Sequence, residues 1–186
     1  MNIFKMYLLV LSKLKYKKMK KISVLLFALA SSLSAYSQGK DVVDIAIGSA
    51  DHTTLVAAIK AADLVTTLKS AGPFTVFAPT NAAFNKLPEG TLANLLKPEN
   101  KAQLVKILKY HVVSGKLDAA AVLDAIKKGN GKVVLTTVSG GKLTASLDMG
   151  KVKLTDESGK SAFVTATDLK GTNGVVHVID GVVLPK

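Results

Sequence analysis

Phe74-Thr-Val-Phe-Ala-Pro-Thr-Asn-Ala-Ala-Phe84 is the stretch that decides how this chain is read. Phe74, Val76 and Phe77 form a short apolar run with the composition of a buried strand. Pro79 stops the run, because proline has no amide to give a sheet ladder. Thr80 and Asn81 follow with side-chain oxygens able to accept from the first free amides of a helix. Phe84 opens the apolar stripe of that helix. Strand, proline, cap and helix thus succeed one another with a residue type required at almost every step.

Two further motifs stand downstream. Tyr110-His111 closes a helical pattern and leads into Val112-Val113. Asn173-Gly-Val-Val-His-Val-Ile-Asp180 lies near the C-terminus. In order and spacing, the three stretches resemble the signature boxes of the fasciclin-like domain, an extracellular adhesion module, over roughly residues 41–186. The resemblance implies an α+β fold: a twisted antiparallel β-sandwich or wedge with helices packed along one edge. It makes Phe74, Phe77, Pro79, Thr80, Asn81, Phe84, Asn173, Gly174, His177 and Asp180 structural signature positions. In animal members of the family, the region around the Tyr-His pair and its branched apolar neighbours is implicated in integrin adhesion. Tyr110, His111, Val112 and Val113 are therefore candidates for a binding site. A second reading of the same residues stays open: a tyrosine and a histidine at a helix-to-strand junction hold that junction through buried hydrogen bonds. On that reading His111 is buried and bonded to backbone near the first box, and Asn81 is a helix cap.

The local pattern reaches the same class independently. Apolar residues recur at helical spacing over 41–48, over a second helix capped by Asp51 (Leu55, Ile59, Ala62), and over 63–69, 92–96, 99–109 and 118–128. The last has an acid at its start and Lys127-Lys128-Gly129 at its end, which suits the helix dipole and a glycine stop. From residue 130 the period falls to two. Asn130-Gly131 and Gly140-Gly141 are hairpin-type turns around a strand at 132–139. Strands at 142–146, 151–155, 162–167 and 175–183 follow, with loops at 156–160 and 170–174.

Charge and leader belong together. Residues 1–21 carry seven lysines and no acid; residues 22–33 are apolar but shorter than a membrane span; Ala35-Tyr36-Ser37 supplies small residues where a signal peptidase reads. Residues 1–37 are expected to be an export signal peptide cleaved to leave Gln38, with Met19 an alternative start. Residues 38–186 are expected to be a single fasciclin-like domain. This domain keeps 18 lysines against 13 acids, a charge of +5 in place of the whole chain's +12. All 25 basic residues are lysine, as biased codon use in a bacterial genome would give. Without arginine the bidentate fork that reads guanine is missing, so nucleic acid is not an expected partner. There is no cysteine, hence no disulfide and no thiolate chemistry. The chain ends at Val-Val-Leu-Pro-Lys without an apolar tail. A secreted, periplasmic or cell-surface protein with no stable membrane insertion after signal cleavage is expected.

Catalytic constellations are missing. His52, His111 and His177 have no zinc-ligand spacing, and His52, beside Asp51, is read as exposed. No Gly-x-Ser-x-Gly elbow exists, and Asp156-Glu157 reads as a solvated pair in a polar loop. Gly171-Thr-Asn-Gly174 precedes a strand, so it is not a phosphate cradle. The expectation is a non-catalytic adhesion module without cofactor or metal. It would contact a cell-surface or matrix protein or a polysaccharide through sheet edges and the loops 139–142 and 156–161. The alternative is a carrier holding a small hydrophobic ligand or lipid between helices and wedge.

Overall fold

β1 (Phe74–Pro79) lies between β2 (Val112–Ser114), antiparallel to it, and β7 (Gly174–Ile179), parallel to it. The structure is a computed structural model and describes residues 39–186. The expected leader, its cleavage site after Ser37 and the alternative start at Met19 lie outside the described residues. The three sequence boxes are therefore three neighbouring strands. Phe77 stands opposite His177, and Val76 opposite Val112. Pro79 does not end the strand early but forms its last position, where no amide is needed; the next one, Thr80 N–H, donates to Ile179 O at 3.2 Å. The sheet is antiparallel as expected at every pairing described except β1–β7, which is parallel. The crossover between these two strands runs over residues 80–173 and contains the five remaining strands.

At Gly174 the two strands approach so closely that a Cβ would lie 2.2 Å from Phe74 O. Only glycine fits there.

The sheet runs β2-β1-β7-β6-β5-β4-β3, with β3 at Lys132–Thr136, β4 at Lys142–Asp148, β5 at Lys151–Thr155 and β6 at Ser161–Gly171. β6 is longer than its sequence pattern and carries two register irregularities, between Val164 and Ala166 and between Ala166 and Leu169. Such bulges bend and twist a strand. The bend brings the far edge back: Val113 bridges Thr137, and Val138 N–H donates to Val112 O at 2.7 Å. The curled sheet encloses Phe77, Val113, Leu135, Leu143, Leu154 and Ile179, all buried.

Alternate strand residues, Val76, Ala78, Val112 and Val176, face the helical layer. That layer comprises α1 (Val42–Ile47), α2 (Thr53–Ala61), α3 (Val65–Lys69), α4 (Asn81–Asn85), α5 (Thr91–Leu95) and α6 (Lys101–Tyr110). α7 (Ala119–Lys128) instead sends Val122 and Ile126 into the sandwich interior. Its cap is Asp118, accepting from Ala121 N–H at 2.8 Å.

Two expectations fail near α2. Asp51 does not cap it: a 3-10 turn, Ala50–His52, comes first, and α2 starts at Thr53. His52 is buried rather than exposed, with Nδ1 2.8 Å from Ser49 Oγ and Nε2 without a partner. Burial holds its imidazole below the usual range, against a smaller upward pull from Asp51. Near the C-terminus, 170–174 is not a loop, because β6 and β7 leave only a tight turn between Gly171 and Gly174. β7 stops at Ile179, where Asp180 turns the chain.

Candidate binding surface

Thr80 and Asn81 divide the capping work differently from the sequence reading. Thr80 caps α4, its Oγ accepting from Ala83 N–H at 3.2 Å. Asn81 is the first residue inside α4 and serves the neighbouring helix. Its Oδ1 accepts from Thr54 N–H at 2.9 Å and from Thr53 Oγ at 3.2 Å, while its Nδ2 donates to Ala50 O at 3.0 Å. It caps α2 from across the fold, and it needs an acceptor and a donor together. Asn81→Ala is expected to cost about 0.5–2 kcal/mol, as for other caps. Asn81→Asp is expected to fall short of wild type, because a second carboxylate oxygen would face Ala50 O. Chemical denaturation of both variants checks this; full recovery with Asp would contradict the amide geometry.

The third box is equally internal. Asn173 Oδ1 accepts from Val42 N–H at 3.0 Å, and Nδ2 donates to Leu68 O at 2.7 Å and Ser70 O at 3.0 Å. One amide thus joins the starts of α1 and β7 to the end of α3. His177 stacks on Phe77, with centroids 5.7 Å apart. Its Nε2–H donates to Leu117 O at 2.7 Å and its Nδ1 accepts from Asp168 N–H at 3.3 Å, which fixes the tautomer. Asp168 in turn accepts from Ala119 N–H, so β7 positions the start of α7. Asp180 Oδ1 accepts from Phe163 N–H at 2.7 Å, while Lys86 Nζ donates to Asp180 O at 2.7 Å.

Tyr110, His111, Val112 and Val113 are all buried. His111 Nδ1–H donates to Ile107 O at 2.9 Å and Nε2 accepts from Val183 N–H at 3.3 Å. Its own carbonyl accepts from Phe77 N–H at 2.9 Å, in the first box. Burial pushes the imidazole down to about 4, against a smaller opposing effect of the Ile107 bond. Tyr110, fully buried, reaches outward with its hydroxyl. That hydroxyl donates to Lys142 O at 2.6 Å and accepts from Glu157 N–H at 3.3 Å. Burial, with the Glu157 and Asp156 charges adding, pushes the phenol up to about 12.

Lys142, the first residue of β4, and Glu157 lie at the two loops, 139–142 and 156–161, expected from the architecture as contact sites. Tyr110 brings them together. Glu157 Oε1 accepts from Lys142 N–H at 2.9 Å, closing a three-membered link. The Lys142 and Lys186 amides hold the Glu157 carboxyl below the usual range. Gly141 passes directly over the ring, where a Cβ would come within 2.7 Å of Tyr110 Cε2. Asp156 is not solvated as expected. It is buried, accepting from Ser158 and Lys160 N–H with Oδ1 and from Leu184 N–H with Oδ2. Glycine and serine in the turn made this loop look wholly polar; the partner amide at Leu184 is too distant in sequence to be read. The outer side of 157–161 and the neighbouring Gly140 and Lys142 form one exposed surface at this end of the sheet.

Tyr110→Phe is expected to lower stability by about 0.5–1.5 kcal/mol, the net worth of a hydrogen bond, and to leave the core packed. Thermal unfolding checks it; a loss beyond about 3 kcal/mol would mean that the hydroxyl holds the fold and not only the loops.

Among the described residues no group of His, Cys, Asp and Glu is placed to hold a metal ion. Two small apolar depressions lie among the described residues. One, of about 30 Å³, is lined by Leu64, Leu68, Phe74, Leu108, Val112 and Val138; another, of about 10 Å³, lies over Val122, Val152 and Val164. Each holds at most about one water, against the several hundred cubic ångströms of a typical ligand pocket.

A family profile for the fasciclin domain matches residues 50–185. The protein sll1483 of Synechocystis is 49% identical over 154 residues, which are 83% of this chain and 78% of that one. Transforming growth factor-beta-induced protein ig-h3 of Sus scrofa is 39% identical over 145 residues, 77% of this chain but only 19% of its own length. Among solved structures, a FAS1 domain pair from the insect cell adhesion molecule Fasciclin I matches with a TM-score of 0.55 at 23% identity. The match covers 68% of this chain and 42% of the insect one and bears on the fold.

Proposed function

The chain belongs to the fasciclin domain family, and on that premise we propose that it is an exported, non-catalytic adhesion module whose contact surface is the loop pair 139–142 and 156–161. The observation that carries this reading is the Tyr110 hydroxyl bound to both loops. The polar atoms of the signature boxes are spent on internal amides and carbonyls, so the boxes build the scaffold and the scaffold presents the loops. Tyr110 and His111 contribute from beneath, as positioning residues. The partner is a cell-surface or matrix protein or a polysaccharide, met outside the cytoplasm after residues 1–37 have been removed. A loop surface held by a rigid sheet is where binding residues commonly sit. Neither of these two depressions is large enough for a lipid, which favours surface contact over the carrier reading.

The test is capture from the native cell envelope on immobilised protein, with Ser158→Glu/Lys160→Glu and, as a control on the helical layer, Lys60→Glu. The loop variant should lose the captured partner and the control should keep it. Capture indifferent to the loop variant, or a stoichiometric lipid in the native mass spectrum of gently extracted protein, would overturn the proposal.

A further inference from the structure

The opposite end of the sheet carries an unusual hairpin. β4 and β5 are joined by Met149-Gly150 alone, with Asp148 opposite Lys151. Both turn residues have positive φ, 49° and 78°. A two-residue turn of this kind is normally filled by asparagine, aspartate or glycine. Methionine fits it poorly, and here its side chain is 98% exposed. The next cross-strand pair is Leu147 with Val152; Leu147 is 43% exposed. An apolar tip is thus offered to solvent at the backbone's expense, a breach of local rules of the sort that marks a functional site.

Lysines gather at the same end. Lys151 and Lys153 follow the turn. Lys132 begins β3 opposite Ser146, which itself stands opposite Lys153. Lys127 and Lys128 end α7 just ahead of β3. The acids near them are Asp148, bound to Lys153 at 2.9 Å, Asp124 on α7, and Asp118 and Asp168 at the start of α7, where Ala119 and Thr167 lie against Val152. Five lysines and four acids stand at this end, with Lys132 and Lys151 on the strands that carry or flank the apolar tip.

We propose that this end docks reversibly onto an anionic phospholipid bilayer, with Met149 and Leu147 entering the headgroup–acyl boundary and the lysines meeting lipid phosphates. Charge selects an anionic surface, and the apolar tip selects a bilayer, since a soluble polyanion has no use for an exposed methionine. Among the described residues no helix is long and apolar enough to cross a membrane, so the contact is peripheral. It leaves the loop pair, at the other end of the strands, free. This inference does not rest on the loop-surface reading.

The chain has no cysteine, so Met149→Cys carrying an environment-sensitive fluorophore reports the tip alone, and Lys60→Cys serves as control. With vesicles of equimolar phosphatidylcholine and phosphatidylglycerol, the label at 149 should shift to the blue and the label at 60 should not. Neither should respond to pure phosphatidylcholine. In co-sedimentation of the full chain, Lys132→Gln/Lys151→Gln should weaken binding to the anionic vesicles about 25-fold, roughly fivefold per lysine. Met149→Ser should weaken it about tenfold or more. Absence of the shift at 149, or an equal shift at 60, would overturn the proposal. Binding that follows the lysines and ignores Met149 would also overturn it, and would point to a soluble polyanion.

Discussion

Acidification from pH 6.5 to pH 4 is expected to remove about 3 kcal/mol of stability through His111 alone. The imidazole has a folded-state value near 4 against 6.5 for the free side chain, because it is buried among apolar groups. Each unit of difference is worth about 1.4 kcal/mol between protonation states. The depressed value means that the unfolded chain binds the proton first. The contribution is therefore complete above pH 6.5, declines as pH falls through the window and is lost below about 4. The direction agrees with the bonds: Nε2 must stay unprotonated to accept from Val183 N–H. His52, also lowered by burial, adds a loss of the same sign. Denaturant midpoints measured between pH 4 and pH 8 should show the decline. His111→Gln should retain only the shallower decline due to His52 and, toward pH 4, to the lowered Glu157 carboxyl. At neutral pH, His111→Ala should cost about 2–4 kcal/mol, because it leaves Ile107 O and Val183 N–H buried without partners. A wild-type profile flat across the window would contradict the buried neutral imidazole.

Asn173→Ala is expected to cost about 2–4 kcal/mol. It removes three hydrogen bonds, one to Val42 N–H at the start of α1 and two to Leu68 O and Ser70 O at the end of α3. Asn173→Asp should not rescue it, since a carboxylate can accept from Val42 but cannot donate to two carbonyls. The backbone makes the position stricter still, with Phe74 N–H donating to Asn173 O at 3.0 Å beside the tight Gly174 contact. Equilibrium unfolding of the two variants settles the matter; an Asp variant as stable as wild type would remove the amide's double role.

What the sequence made legible was local. The cap at Asp118, the strand–cap–helix corner at Phe74–Phe84 and the hairpin loop at Gly140-Gly141 are written in neighbouring residues, and they fold as such; Asn130-Gly131, read as a hairpin turn, instead joins the end of α7 to β3. The buried histidines follow from their apolar neighbours, Val112 and Val113 just after His111 and Val175, Val176 and Val178 on the strand of His177. Errors arose where a partner lies far along the chain. Asn81 looked like a cap for its own helix because Thr54 and Ala50 come earlier and belong to another. Asp156 looked solvated because Leu184 closes over it from the C-terminus. His52 looked exposed because an acid precedes it, whereas packing against the first box buries it. The parallel pairing of β1 with β7 joins residues about a hundred positions apart, and no period in either strand announces it. The link from Tyr110 to the two loops is of the same kind. The Tyr-His motif was visible; that its hydroxyl meets Lys142 and Glu157 was not.

The central claim, that the Tyr-His pair acts from beneath by holding two loops in register, is tested most directly by the affinity of Tyr110→Phe for the partner captured from the envelope. Phenylalanine keeps the packing and removes only the hydroxyl that joins Lys142 to Glu157. The variant is expected to fold, with a melting temperature only slightly lowered, to bind about tenfold more weakly and to exchange its Lys142 and Glu157 amides faster. Unchanged affinity in a variant whose loop amides exchange faster would contradict the claim, since the loops would then be free and the contact surface elsewhere.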